Sequence, residues 1–296
     1  MSKTLIQFVL LCFVVISPAY AINSSLVQTQ VDLSGKVTTA VFERIAGDLQ
    51  QHFVDFAVEV PPDFVVIGGG AEGSEVPQGN LLTASYPNAD LSAWLVSSKD
   101  HLYADAIRIK AYAIGLKIAG LTRQQLISYI TVNVNSSGYV QHPDISVGVQ
   151  SGFKMVGGGF KVNWYGAGNL ATASYPETSF NWRAQSKDHL VASPATLQVY
   201  AVGLLEYIPN IGQVVVSISS AYSAQAQHPS STANVVYGYA LSGCGAKVNW
   251  SEPGNLLWKL VPSTLSSLHG CTGASKDHGV YSPATITTSA LGIRIQ

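Results

Sequence analysis

The sequence predicts an all-β protein made of three tandem, homologous, antiparallel β-sandwich-like repeats of about 85–90 residues each. Two observations lead there. The chain repeats itself, with the box Ser-Lys-Asp-His spelled out at 98–101, 186–189 and 275–278. Within each copy, apolar residues alternate with polar ones at period two, as in "YITVNVN" (129–135), "VVVSIS" (214–219) and "TLQVYAVGL" (196–204). That period, carried by Val, Ile, Tyr and Thr and punctuated by Gly, Pro, Asn and Ser, marks half-buried strands.

In chain order, residues 1–21 read as a secretory signal. Lys3 supplies the charge, Leu5 to Ile16 the apolar core and Ser17-Pro18-Ala19-Tyr20-Ala21 the small-residue cleavage site. The apolar run is too short for a bilayer span, so no transmembrane segment is expected and the mature chain is expected to be secreted. Residues 22–36 form a polar leader. The repeats then span 37–121, 122–210 and 211–296. Each is expected to hold about six strands, and one short amphipathic helix is expected over Leu121 to Ser128. The sequence permits both beads on a string and closure around a pseudo-threefold axis.

Four landmarks recur in every copy. Gln-His appears at 51–52, 141–142 and 227–228, followed by a Gly cluster ending at Gly70, Gly159 and Gly245. A Gly-Asn pair follows at 79–80, 168–169 and 254–255, and then the Ser-Lys-Asp-His box. A period this long exceeds the ~20–50 residues of solenoid and propeller repeats. The pattern GGG…GNLLTASYP…W…SKDH…YAIGL resembles an extracellular β-repeat of secreted bacterial proteins. The resemblance covers all three copies and implies no particular activity. The third copy departs from it, with Leu260-Val261-Pro262 for Ser-Tyr-Pro and no Trp matching Trp94 and Trp182.

Composition narrows the function classes. Only 11% of residues are charged against 47% hydrophobic, which argues against disorder. A net charge of -1 gives no electrostatic basis for nucleic-acid binding. Once Cys12 leaves with the signal, Cys244 and Cys271 remain and are expected to pair in an oxidising compartment.

Several side-chain groups carry candidate chemistry. "GGGAEG" (68–73) matches a nucleotide-loop expression but lacks the βαβ frame, so it reads as a place of close backbone approach. The box pairs Asp100-His101, Asp188-His189 and Asp277-His278 are candidate ligand-binding residues, although a short polar loop is the favoured reading of the box. If the box were strand, its Asp and His would face opposite ways. His52, His142 and His228 are the candidate metal ligands; no cofactor is otherwise expected. Asn163-Trp164 and Asn249-Trp250 set an amide beside a flat apolar ring, the pair that holds sugars. Trp94 and Trp182, within regular strand, are expected in the core. Tripled modules suit avid binding better than single-centre catalysis. The sequence therefore favours a non-enzymatic, lectin-like binder of extracellular glycans or cell surfaces. A structural or surface-assembly repeat ranks second and a secreted hydrolase third.

Overall fold

A computed structural model of the chain describes residues 22–265 and 269–296. The signal segment lies outside the described residues. The structure is 61% strand and 2% helix, with its strands arranged in three antiparallel sheets.

The leader contributes β1 (Ser25–Val31). The first repeat forms β2 (Val37–Ile45), β3 (His52–Glu59), β4 (Val65–Glu72), β5 (Asn80–Pro87), β6 (Ala93–Asp100) and β7 (Lys110–Ile118). Helix α1 (Arg123–Ser128) follows, started by a capping box in which Thr122 and Gln125 satisfy each other's backbone. The second repeat forms β8 (Ile130–Ser136), β9 (Asp144–Gly148), β10 (Phe153–Asn163), β11 (Asn169–Pro176), β12 (Asn181–Asp188) and β13 (Thr196–Leu205). A short link, β14 (Tyr207–Ile208), leads to the third: β15 (Gly212–Tyr222), β16 (Ser230–Asn234), β17 (Ala240–Asn249), β18 (Leu256–Pro262), β19 (Gly270–Lys276) and β20 (Thr285–Ile295).

The strand orders show how the repeats join. They are β1-β2-β7-β4-β18-β19-β16, β3-β6-β5-β10-β13-β8 and β14-β15-β20-β17-β11-β12-β9. Every sheet joins three strands of one repeat to three of another, and the joins run 1 to 2, 2 to 3 and 3 back to 1. The three copies are therefore a closed pseudo-threefold ring. Each join is a ladder of two residue pairs: Phe160 with Ser85 and Lys161 with Ala84, Ala173 with Lys247 and Ser174 with Ala246, and Lys259 with Glu72 and Leu260 with Ala71. The leader is more than a tail, because β1 extends the edge of the first sheet.

The Gly clusters make this closure possible. A side chain on Gly68 or Gly157 would collide with the backbone of Ser242 or Ile67 in a neighbouring repeat. One on Gly70 or Gly159 would strike the carbonyl of Leu260 or Ser85 across the join. The glycines are sites of close backbone approach, not a nucleotide loop. A β-bulge at Val66/Gly68 and its counterparts shifts the register there.

The middle glycine has a different partner. Gly69 and Gly158 lie under the indoles of Trp94 and Trp182, the two largest fully buried side chains. Each indole N–H donates to a serine, Ser85 at 2.8 Å and Ser174 at 2.9 Å. In the third repeat the same positions hold Cys244, Cys271 and Leu260. The glycine–tryptophan contact is replaced by a disulfide, Cys244–Cys271, with Cα atoms 5.5 Å apart. The serine, with no indole to receive, is replaced by leucine.

Candidate functional site

The Ser-Lys-Asp-His box is strand, not turn. Residues 98–100, 186–188 and 275–276 end β6, β12 and β19. Strand alternation sends Lys and His one way and Ser and Asp the other. The expected loop is thus corrected, for a physical reason: the box pairs in register with the Gly-Asn strand, Asn80 opposite Asp100 and Asn169 opposite Asp188.

On one face, His101, His189 and His278 converge on the pseudo-threefold axis, with ring centroids 5.3–5.9 Å apart. Each reaches the next histidine's carbonyl oxygen through Nε2: His101 to His189 at 2.7 Å, His189 to His278 at 2.6 Å and His278 to His101 at 2.5 Å. Each Nδ1 faces a carbonyl in the neighbouring Gly-Asn loop, that of Ala167, Pro253 or Gln78, at 2.9–3.2 Å. Burial pushes the histidines down, His101 to about 4, although the carbonyls pull the other way. A neutral imidazole carries one N–H, and the shorter Nε2 contacts form a closed cycle of donation around the axis.

The lysines of the box are buried as well. The Lys99 ammonium donates to the carbonyls of Asp100 and Ala167, and Lys276 to those of Glu75 and Gln78. Lys187 donates to the Pro253 carbonyl and the Glu252 carboxylate. Burial lowers Lys99 and Lys276. The Lys and His positions therefore hold one repeat to the next through backbone carbonyls.

The opposite face gathers the other landmarks. Asp100, Asp188 and Asp277 each meet the upstream histidine of their own repeat: His52 at 2.8 Å, His142 at 3.1 Å and His228 at 3.2 Å. The second carboxylate oxygen of each accepts a backbone N–H, from Asp105, Ser193 and Ser282. Asn80, Asn169 and Asn255 donate to the Gln51, Gln141 and Gln227 carbonyls, all at 2.7 Å. Three motifs far apart in sequence, Gln-His, Gly-Asn and the box, are thus one hydrogen-bonded cluster per repeat. His52, His142 and His228 stay at three separate junctions. Among the described residues no three His, Cys, Asp or Glu side chains group as metal ligands.

Between the repeats lie clefts. Trp164 of the second repeat faces Thr83, Ser97 and Lys161 across about 240 Å³. Trp250 of the third faces Thr172, Gln185 and His142 across about 120 Å³. These two junctions match position for position. In each, the indole meets a histidine edge-on, His52 at 5.6 Å and His142 at 5.9 Å. In each, the buried lysine ammonium lies over the indole ring, Lys99 at 4.9 Å and Lys187 at 4.2 Å. The hydroxyls of Thr83 and Thr172, both 1% exposed, have no hydrogen-bond partner. At the first cleft Asp55, Lys161 and Tyr86 form a polar network, with Lys161 Nζ 2.8 Å from both partners. At the second, Arg183 grips Asp144 with two bonds of 2.7 Å.

Of the sequence-nominated residues, Trp164, Trp250, Asp100 and Asp188 lie at these junctions. Asn163 also lines the first cleft while its amide donates to Thr196 at 3.1 Å; Asn249 does not line the second, and its amide donates to Thr285 at 3.1 Å. His101, His189 and His278 belong to the axis. Sequence reasoning missed Thr83 and Thr172, whose signal was their matched place three residues after each Gly-Asn asparagine. No protein family matches the chain, and no curated protein matches it in sequence.

Proposed function

We propose that this is an exported, lectin-like binding protein that holds extracellular or cell-surface glycans in its inter-repeat clefts. The carrying observation is the juxtaposition of a partly buried indole with a buried, unpartnered threonine hydroxyl, Trp164 with Thr83 and Trp250 with Thr172. A sugar offers C–H surface to an aromatic ring and hydroxyls to polar groups, and residues of both kinds line each gap, which supports this reading. The carboxylate–cation pairs nearby, Asp55–Lys161 and Asp144–Arg183, supply further acceptors and donors. Two clefts on one rigid ring support avidity toward repetitive glycans. Export is favoured by the signal-like N-terminus and agrees with the disulfide.

Retention on immobilised polysaccharides and on whole cells tests the reading. Trp164→Ala and Trp250→Ala are expected to weaken retention at least tenfold together while leaving the thermal transition cooperative. Unchanged retention would remove the clefts from consideration.

A structural role is the second reading, favoured by the use of all three box lysines and histidines to join repeats. It predicts ordered self-assembly and indifference to sugars.

A further inference from the structure

We infer that only two of the three junctions take ligand, and that the third is closed by its own tryptophan. This rests on the glycan-binding reading of the clefts.

Two positions distinguish the junctions. The wall offered by the preceding repeat carries Thr83 and Ser97 at the first, Thr172 and Gln185 at the second, and Trp258 and Ala274 at the third. The loop that faces this wall carries Trp164, Trp250 and Glu75. The third junction has exchanged sides: its indole sits where the threonine stood, and a carboxylate where the indole stood. Trp258 is 9% exposed and packs with Ala274 and the axial leucines Leu81, Leu170 and Leu256. It fills the space that Thr83 and Thr172 leave open.

Glu75 seals the entrance. Its carboxylate lies 2.7 Å from His228 Nδ1, while His228 Nε2 lies 3.2 Å from Asp277. At the open junctions the corresponding histidines keep one nitrogen free of carboxylate and turn their ring edge to the indole. The third wall therefore carries an indole in place of the threonine hydroxyl, and the loop facing it carries a carboxylate in place of the indole. The open clefts, at about 240 and 120 Å³, suit a single neutral pyranose unit each rather than an extended chain.

The test counts sites. Methyl glycosides of glucose, galactose, mannose and N-acetylglucosamine at millimolar concentration are titrated against the full chain, with stoichiometry read by native mass spectrometry. The wild-type chain is expected to bind two equivalents of at least one glycoside. Thr83→Trp and Thr172→Trp, which copy the closed wall, are each expected to reduce this to one. The exchange Glu75→Trp with Trp258→Thr and Ala274→Ser is expected to raise it to three. Should that triple variant fold poorly, the two plugging variants decide alone. Three equivalents on the wild-type chain, or two on either plugged variant, would overturn the closed third junction while leaving glycan binding intact. Binding of none of the glycosides would overturn both readings together.

Discussion

His101 Nε2 lies 2.7 Å from the carbonyl oxygen of His189, although 88 residues separate them in sequence. That contact and its two counterparts close the ring of repeats on its axis. The carbonyl of His101 also accepts the N–H of Tyr103 at 2.7 Å, and that of His189 the N–H of Val191 at 2.7 Å. In these two repeats a tight turn therefore aims the carbonyl at the neighbouring imidazole.

The ring should weaken in acid. Burial holds His101 at about 4 and lowers His189 and His278, whereas an unfolded histidine titrates near 6.5. The unfolded chain thus binds more protons between those values. The stability tied to the neutral rings is complete above roughly pH 6.5 and is lost as pH falls toward about 4, at about 1.4 kcal/mol per pK unit per histidine. Urea melts at pH 7.5 and 5 are expected to show a clear fall in midpoint, and a smaller fall for His101→Gln. Equal slopes in the two proteins would argue against this role.

The turn tips carry strain that can be relieved. Leu102 and Leu190 each have φ of 60°, and the matching residue of the third repeat is Gly279 at 70°. Leucine in this region costs roughly 1–2 kcal/mol. Both leucines are about half exposed, so little packing is lost on truncation. Leu102→Gly is expected to stabilise the fold by up to about 1 kcal/mol after the added chain entropy of glycine. A fall in melting temperature would contradict this account.

The disulfide does the work of a glycine–tryptophan contact. Cys244 and Cys271 are 27 residues apart, and loop closure of that length is worth about 3–4 kcal/mol. Cys244→Ala with Cys271→Ala is expected to lose that much in denaturant titration. Cys244→Gly, Cys271→Trp and Leu260→Ser together reproduce the Gly69–Trp94–Ser85 arrangement and are expected to recover part of it. No recovery would mean that the third repeat has diverged beyond this set.

The inter-repeat ladders tolerate no side chain at Gly70. A Cβ there would overlap the Leu260 carbonyl, in the ladder that joins the third repeat to the first. Gly70→Ala is expected to cost about 3 kcal/mol or more through overpacking and displaced backbone. Gly47→Ala, with open space around it, serves as the control and should be near neutral. Chemical denaturation of the two variants distinguishes them.

Much was legible in the sequence because it depends on neighbours along the chain. Period-two alternation marked the strands, and self-comparison revealed the tripled unit. The failed match in the third copy fell where a disulfide replaces the glycine–tryptophan contact, and two cysteines predicted their bond. The box reads locally as a turn because Ser and Asp favour loops. Nothing nearby in sequence reveals that Ala167, Pro253 and Gln78 supply carbonyls to its lysines and histidines. Thr83 and Thr172 looked like ordinary strand residues, since an unpartnered hydroxyl is visible only when its surroundings are.

The sequence by itself determined the β-class, the number of repeats and the disulfide, since each follows from composition, spacing or periodicity. Only the tertiary structure decided that the repeats close into a ring and that the box histidines meet on its axis. Only it decided that the upstream histidines meet their aspartates instead of a common metal. Strand pairing between repeats, and the direction in which each strand turns its alternate side chains, depend on contacts between residues far apart in the chain, such as His278 with Gln78, 200 residues away.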